Sequence, residues 1–467
     1  MGRLSRTACA LVTAAGGLAA GCAGGIAVPA PAAPAATSWQ HALSQEPAQP
    51  VDLRGWWHAF QDPVLDGLVD STLRDNLQAA QAAERLLASR ERLRSAQVEY
   101  RPQLRAKTID AIDPDASASF FVAGFDASWE LGLFGRATAT QRQVRGEVDA
   151  GAASLQQLRV SLVGEVVRDW LSLRAAQQRD LLLEAACGLY QRQLDQTRIH
   201  AGLRLATPQA LARAEADLAQ AQAERAGHRG DIDALAQQLA LLLGRERPDP
   251  AWLEPAPVPS LGALHIVQTP ADLLRTRPEI AQAEAEVLRA VGDAGIARAD
   301  LLPRVAIGGS IVWSTNLTTH RRTSDHALVS VGPLIDIPLF DWGARQARLR
   351  ASRHDLQASV YAYRQAVLQG VAEVETALAQ LEHQRERQAA GEQAHQALAR
   401  AEKAATTRAR LHLASPAEHG GAQLALVEAS LALNEATAAR GQALVSLYKA
   451  LGGAPLPEPV TLAAGQP

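Results

Sequence analysis

The 467-residue sequence predicts a mainly α-helical chain, built from two similar halves, with a small β part suited to a membrane. Three observations lead to this fold class: an internal duplication, long stretches without proline, and segments in which apolar and polar residues alternate. Aromatic residues make up only 4% of the chain although 47% of it is hydrophobic, so Ala and Leu carry most of the apolar content. That composition favours closely packed helices.

The charge and the motif content exclude several classes of function. The formal net charge is −3, which is not the basic footprint of a nucleic-acid binder, and no nucleic-acid partner is predicted. No nucleophile elbow, phosphate loop, zinc signature or dinucleotide fingerprint occurs, so we predict no catalytic residues, no metal and no cofactor. No apolar stretch reaches the ~20 residues that a transmembrane helix needs, so strands are expected to make any membrane crossing.

The first residues have the character of a secretory leader. Arg3 and Arg6 precede a run of small and apolar residues that ends at Leu18-Ala19-Ala20-Gly21-Cys22. This end resembles a bacterial lipobox, which predicts a signal peptide over residues 1–21 and a lipid-modified Cys22 as the first mature residue. Ala23 follows, so the Asp that would retain a lipoprotein at the inner membrane is absent, and outer-membrane lipid is the expected anchor point. The alternative is an ordinary signal peptide with an incidental cysteine.

An internal repeat organises the rest of the chain. Residues 76–102 recur at 277–303, residues 129–134 align with 335–340, and residues 203–208 recur at 411–416, at offsets of 201, 206 and 208. We therefore divide the mature chain into an N-terminal extended segment (22–74), a first repeat (75–262), a second repeat (263–453) and a C-terminal tail (454–467). Each repeat is expected to contain a helix, a strand pair, a long helix, a tight break and a returning helix.

Each repeat also contains one long run without proline, from Arg136 to Thr207 and from Asp341 to Ser415, which predicts a long helix. In the second run, apolar residues advance by sevens, fours and threes, as in a coiled-coil seam. The seam consists of Leu349, Leu356, Val360, Tyr363, Val367, Val371, Val374, Leu378 and Leu381. Such a helix is ~90 to 100 Å long, which suits a tube or a spacer.

The β-type segments carry much of the scarce aromatic content. Four of the six Phe lie between Phe120 and Phe134, and the second repeat has corresponding segments at 304–313 and 326–338. Alternating segments of about ten residues with aromatic edges are typical of outer-membrane strands, the alternative being a soluble β-layer. Four strands cannot close a barrel and open edges are not tolerated in lipid, so copies of the chain are expected to pool their strands.

Several segments together resemble the outer membrane factor family of TolC-, OprM- and NodT-like proteins. They begin at Trp56, Trp129, Ala271, Pro338 and Leu447, with the sequences WWHAFQDPVLD, WELGLFGR, ADLLRTRPEI, PLFD and LYKALGG. The resemblance implies a homotrimer whose twelve-stranded β-barrel, with four strands from each chain, continues into an α-helical periplasmic tunnel. It implies the exit duct of a tripartite efflux system, with a periplasmic adaptor and an inner-membrane transporter, proton-driven in our prediction. The alternatives are a type I protein secretion channel and a periplasmic spacer lipoprotein that forms no channel.

The two tight breaks are the candidate adaptor-binding tips under this resemblance. They comprise Leu203, Arg204, Leu205, Ala206, Thr207 and Pro208 in the first repeat, and Leu411, His412, Leu413, Ala414, Ser415 and Pro416 in the second. Thr207 and Ser415 precede a proline, as helix N-caps often do.

Alignment with the family places its tip glycine at His412 and, through the repeat, at Arg204, although Gly202 could take that role in the first tip. Glu418 is the candidate aperture residue, either in a cation-attracting ring or as a solvated surface side chain.

Overall fold

The computed structural model describes residues 26–27, 38–41, 52–111, 120–259, 261, 272–316 and 328–456. The α-helices are α1 (Pro63–Asp75), α2 (Leu77–Val98), α3 (Arg136–Gly202), α4 (Pro208–Leu242), α5 (Leu273–Thr276), α6 (Pro278–Ala299), α7 (Ala344–Arg410) and α8 (Pro416–Ala450). The strands are β1 (Gln103–Ala111), β2 (Phe120–Glu130), β3 (Arg304–Asn316) and β4 (Leu328–Asp336). The chain is therefore mainly helical with a small β part, as the sequence predicts.

The two repeats have helices of equal length, which confirms the duplication. The long helices α3 and α7 have 67 residues each, the returning helices α4 and α8 have 35 each, and α2 and α6 have 22 each. The interval from the start of α3 to the start of α7 equals the interval from α4 to α8. At a rise of 1.5 Å per residue, each long helix extends for about 100 Å.

The turn between the strand pair and the long helix differs between the repeats. It connects Glu130 to Arg136 in the first repeat and Asp336 to Ala344 in the second, so the second turn is two residues longer. Phe134 and Trp342 share positive φ angles of 57° and 56°, and the glycines that follow both have a φ of 81°. The structural counterpart of Phe134 is therefore Trp342, and the sequence alignment of Phe134 with Phe340 is wrong at that residue.

The four strands form one antiparallel sheet in the order β1-β2-β3-β4. The central pair, β2 with β3, joins the two repeats, with Trp129 opposite Ile307 and Phe125 opposite Ile311. Strands β1 and β4 are the edges of this sheet among the described residues.

Contacts divide the chain into two compact units. The first comprises residues 1–32, 84–153 and 280–366, and the second comprises 33–83, 154–279 and 367–467. In the first unit, α3 and α6 approach closely at glycines. A Cβ at Gly292 would lie 2.4 Å from the backbone nitrogen of Gln143, and a Cβ at Gly146 would lie 2.6 Å from that of Arg289. The two backbones can be this close only because these positions lack a side chain.

In the core of the second unit, the segment beginning at Trp56 packs against the segment beginning at Leu447. Trp56 stacks on Tyr448 with ring centroids 5.2 Å apart, and its Nε1 donates to the carbonyl oxygen of Gly453 at 3.1 Å. Trp170 is fully buried and donates to a carboxylate oxygen of Asp62 at 2.7 Å. The segments beginning at Trp56 and Leu447, which carry part of the resemblance, thus pack against each other.

The predicted seam of α7 is also confirmed. Leu349, Tyr363, Val367, Val374, Leu378 and Leu381 are buried, and Leu356, Val360 and Val371 are partly buried. Among the described residues, no helix is both long and apolar enough to span a bilayer.

Candidate functional site

One face of the sheet is free of charge and largely apolar in its described side chains. Directly opposed residues share a face and successive residues alternate, so the strand register assigns each residue to a side. This face carries Leu104, Ala106, Thr108, Ala123, Phe125, Ala127, Trp129, Val305, Ile307, Gly309, Ile311, Trp313, Val329, Val331, Pro333 and Ile335. Val331 is 78% exposed. An exposed apolar sheet face of this extent is typical of strands in contact with lipid.

The opposite face of the sheet is polar. It carries all six charged residues of the strands whose side chains are described: Arg105, Lys107, Asp126, Glu130, Arg304 and Asp336. Lys107 and Asp126 form a loose ion pair at 3.9 Å, and the hydroxyl groups of Ser310 and Ser330 are hydrogen-bonded at 2.9 Å. A sheet with one charge-free face and one charged face can separate lipid from water.

Each predicted tip begins with the same helix end. In the first tip, the amide of Leu205 donates to the His200 carbonyl at 2.7 Å, and the amide of Arg204 donates to the Ala201 carbonyl at 3.0 Å. In the second, the amide of Leu413 donates to the carbonyl of Arg408 at 2.8 Å, and that of His412 to Ala409 at 3.0 Å. This pair of bonds is the Schellman motif, which requires a left-handed residue.

That left-handed residue is not glycine in either tip. Arg204 and His412 both have a φ of 57°. They are the residues that alignment with the family places at its tip glycine, so the backbone there adopts the conformation that favours glycine. Gly202 is the last residue of α3 and is not among the glycines with positive φ. The alternative in which Gly202 replaces the tip glycine is therefore wrong.

The helix that follows each tip is capped as predicted. The hydroxyl of Thr207 accepts from the amide of Ala210, and that of Ser415 accepts from the amide of Glu418, both at 3.1 Å. Glu418 also accepts from the amide of Ser415 at 2.9 Å, which completes a capping box. The carboxylate of Glu418 thus has a local role in holding the start of α8.

Both tips expose leucines instead of burying them. Leu203, Leu205, Leu411 and Leu413 are 63–75% exposed. Each tip is a single turn between two helices. Among the described residues, we observe no hydrogen bond or ion pair between the two tips. Exposed apolar side chains on a turn mark a surface suited to a protein partner.

A difference between the hairpins above the tips was missed by sequence reasoning. In the first hairpin, Leu194 packs with Leu211 in an apolar cluster. At the offset that relates the two tips, the counterparts are Glu402 and His419. Thr406 bridges them, donating to Glu402 at 2.6 Å and lying 2.9 Å from His419 Nε2. Comparing the two repeats position by position would have found this exchange of apolar for polar contacts.

Cys22, the candidate lipid attachment residue, lies outside the described residues. Ile26, four residues later, is described, and its carbonyl oxygen accepts a hydrogen bond from Arg142 on α3 at 3.2 Å. Among the residues that the structure describes, there is no group of three or more His, Cys, Asp or Glu side chains that could hold a metal ion.

A two-faced sheet joined to paired long helices defines the class of outer-membrane channel proteins, and comparisons with known proteins agree. Residues 269–453 match the family model described as outer membrane efflux protein. The chain is 28% identical to the outer membrane protein OprJ of Pseudomonas aeruginosa, with 91% of each chain covered. It is 25% identical to nodulation protein T of Rhizobium leguminosarum bv. trifolii over 86% of this chain and 87% of that protein.

Solved structures extend the comparison to the fold. The outer-membrane channel OprN superposes with a TM-score of 0.78 at 27% identity, over 92% of this chain and 99% of that one. The open state of the Neisseria gonorrhoeae MtrE channel shares the fold with a TM-score of 0.76 at 24% identity, over 92% and 98% of the two chains. The chain is similar to the outer membrane factor family, and its fold is that of one chain of a trimeric outer-membrane efflux channel.

Proposed function

We propose that this protein is the outer-membrane exit duct of a tripartite efflux system and conducts small molecules passively to the exterior. The observation that carries the proposal is the sheet, with one face free of charge and the other holding six charged residues. In a barrel, the first face would meet lipid and the second would line water. The long helices α3 and α7 would continue the duct into the periplasm, and an inner-membrane transporter would supply the energy.

The sheet edges support assembly as a homotrimer. In lipid, unpaired strand edges leave backbone amides and carbonyls without partners, at several kcal/mol each. Pairing β1 of one copy with β4 of the next removes both edges, and three copies supply twelve strands.

The exposed leucines of the two tips support contact with a periplasmic adaptor. Leu203, Leu205, Leu411 and Leu413 project from turns whose backbones are fixed by Schellman motifs and N-caps. Such rigid apolar projections suit insertion between helices of a partner. We further infer that the transporter behind the adaptor is proton-driven.

The hydrogen bond between Arg142 and Ile26 supports a lipid anchor at Cys22. This contact holds Ile26, four residues after Cys22 in the sequence, at the sheet end of α3. An acylated Cys22 would insert its chains in the inner leaflet of the outer membrane. Incorporation of labelled fatty acid into the wild type but not into Cys22→Ala is expected; labelling of both proteins, or of neither, would contradict the anchor.

The cellular role is tested by deleting the protein. We expect the deletion to raise sensitivity to amphiphilic compounds, because a cell without the duct retains them, and complementation with the wild type should restore resistance. Unchanged sensitivity, together with the loss of a secreted protein, would instead support type I secretion.

A further inference from the structure

The turn between β4 and α7, residues 337–343, exposes a large apolar surface, and we call it the aromatic turn. Ile337, Leu339, Phe340 and Trp342 are 54%, 89%, 75% and 91% exposed. In the shorter turn of the first repeat, residues 131–135, Leu133 is the one large apolar residue that is more than a third exposed, at 44%. The two extra residues of the second repeat therefore coincide with an added apolar surface.

Hydrogen bonds and a contact between two rings fix the conformation of the aromatic turn. The carboxylate of Asp341 accepts from the amides of Arg345 and Gly343, both at 3.0 Å, and these bonds hold the pKa of Asp341 below its ordinary value. The rings of Phe340 and Trp342 are 4.8 Å apart and meet edge to face. Trp342 has a φ of 56°, a strained value for a bulky residue.

The aromatic turn continues the apolar face of the sheet. Val329, Val331 and Ile335 of that face are exposed along β4, and the exposed Ile337 and Leu339 follow directly. Trp342 then ends the apolar run next to a helix with a charged surface. Tryptophan is enriched at the level of lipid headgroups, where its ring meets the apolar layer and its N–H meets water.

Two unpaired arginines lie just beyond the turn, on the first turns of α7. Arg350 and Arg353 share one side of the helix, are exposed, and make no hydrogen bond or ion pair that we observe among the described residues. They lie about 9 and 14 Å along the axis from the start of α7, and helical side chains lean toward the helix N-terminus, so both lean toward the turn.

In the first repeat, the counterparts of these two arginines form polar contacts within the chain. At the offset between α3 and α7 they correspond to Arg142 and Arg145 on α3. Arg142 donates to the Ile26 carbonyl at 3.2 Å, and Arg145 pairs with Asp149 at 3.0 Å. The two arginines of the first repeat thus have partners within the chain, whereas Arg350 and Arg353 have none that we observe among the described residues.

We propose that the aromatic turn and the Arg350–Arg353 pair together bind the phosphate headgroup of an anionic phospholipid in the inner leaflet of the outer membrane. Leu339, Phe340 and Trp342 would enter the layer between headgroups and acyl chains, and the two guanidinium groups would contact the phosphate. The inference rests on the proposed membrane location. The inference goes beyond that location by assigning a lipid class and a binding site. The other conceivable occupant is a second copy of the chain.

The arginines are tested with the purified full-length trimer in vesicles of phosphatidylethanolamine with and without phosphatidylglycerol. The readout is the enrichment of phosphatidylglycerol among lipids retained by the protein. An arginine near an anionic surface contributes about 1 kcal/mol, so each of Arg350→Gln and Arg353→Gln should lower the enrichment about fivefold. Arg400→Gln, an exposed arginine far along the same helix, should leave it unchanged. Equal enrichment in the double variant and the wild type would overturn the proposal.

The aromatic turn is tested separately by fluorescence quenching with phospholipids brominated at shallow or deep acyl positions. The difference between the wild type and Trp342→Phe isolates the indole of Trp342, which should be quenched more by shallow than by deep bromine. Absence of quenching, with a trimer that dissociates at lower temperature in the variant, would assign the turn to a contact between copies and overturn the lipid site. Trimers that bind phosphatidylglycerol here but conduct no ions would contradict the proposed duct and leave this site intact.

Discussion

Arg204 and His412 occupy a backbone position that the same chain elsewhere gives to glycine. Helices α4 and α8 end in the same hydrogen-bond pattern, with Gly244 and Gly452 at φ angles of 68° and 78°. A side chain in the left-handed region costs about 1 kcal/mol or more. Both tips therefore form at some cost in local stability, in the turns that we assign to partner contact.

Replacing the strained residues should stabilise the tips. We expect Arg204→Gly and His412→Gly to slow amide exchange at Leu205 and Leu413 by a few-fold, since removing the Cβ relieves strain of about 1 kcal/mol, partly offset by unfolded-state entropy. Hydrogen exchange followed by mass spectrometry measures this. In the matched variant Gly202→Ala, the new Cβ meets open space in a helical backbone, so exchange should not accelerate. Faster exchange in both glycine variants would contradict the account of strain.

Asp169 is a buried carboxylate on α3 with an unusual titration. It is 7% exposed, and Oδ2 has no hydrogen-bond partner among the described residues. Burial raises its pKa to about 6, with Glu165 adding to the rise and Arg168 opposing it. The folded state binds the proton of Asp169 more tightly than the unfolded state does. Protonated Asp169 therefore contributes fully to the stability of the fold below pH 4, and this contribution is lost as the pH rises to about 6.

Removing that charge should stabilise the protein at neutral pH. A shift from 3.8 to about 6 corresponds to at most about 3 kcal/mol, so Asp169→Asn should raise the melting temperature at pH 7 and match the wild type below pH 4. Differential scanning calorimetry at both pH values provides the measurement. Asp195→Asn, an exposed carboxylate on the same helix, serves as the control. A lower melting temperature for Asp169→Asn at pH 7 would show that the carboxylate has a stabilising partner.

At the level of elements, helices α3 and α6 depend on glycine for their contact. Gly292→Val would place a Cβ 2.4 Å from the backbone of Gln143, so the helices must separate. We expect a loss of about 1–3 kcal/mol, visible as a lower melting temperature. Gly227→Ala on α4, where a Cβ meets nothing within 4 Å, should have no such effect and should gain up to about 1 kcal/mol from helix propensity. Equal melting temperatures for Gly292→Val and the wild type would show that the interface can relax.

The sequence predicts the elements better than it predicts their contacts. Prolines and N-caps determine where helices begin, so Thr207 and Ser415 are recognisable from sequence, and apolar spacing predicts the seam of α7. The close approach at Gly292 is not recognisable, because it depends on two helices that are distant in sequence. The alignment of Phe134 with Phe340 misses the true counterpart Trp342, because similar letters cannot show a two-residue insertion next to a strand.

For the whole molecule, the duplication and the sheet lead to one account. Each repeat supplies two strands and one long helical hairpin of matching lengths, and the β2–β3 pair joins the repeats into a sheet with a lipid-type face and a water-type face. The apolar face follows from alternation in the sequence. The separation of charges onto the other face became evident only with the strand register, because register decides which residues of different strands lie side by side.

The most direct test of the duct is the conductance of the purified full-length protein in a planar bilayer. We predict a heat-resistant trimer that inserts and conducts ions in discrete steps, because the charged faces of the pooled sheets would surround a water-filled pore. Charge-neutralising substitutions at Arg105 and Asp126 should alter ion selectivity without abolishing insertion. A heat-resistant trimer that inserts and never conducts would contradict the account and identify the protein as a periplasmic spacer.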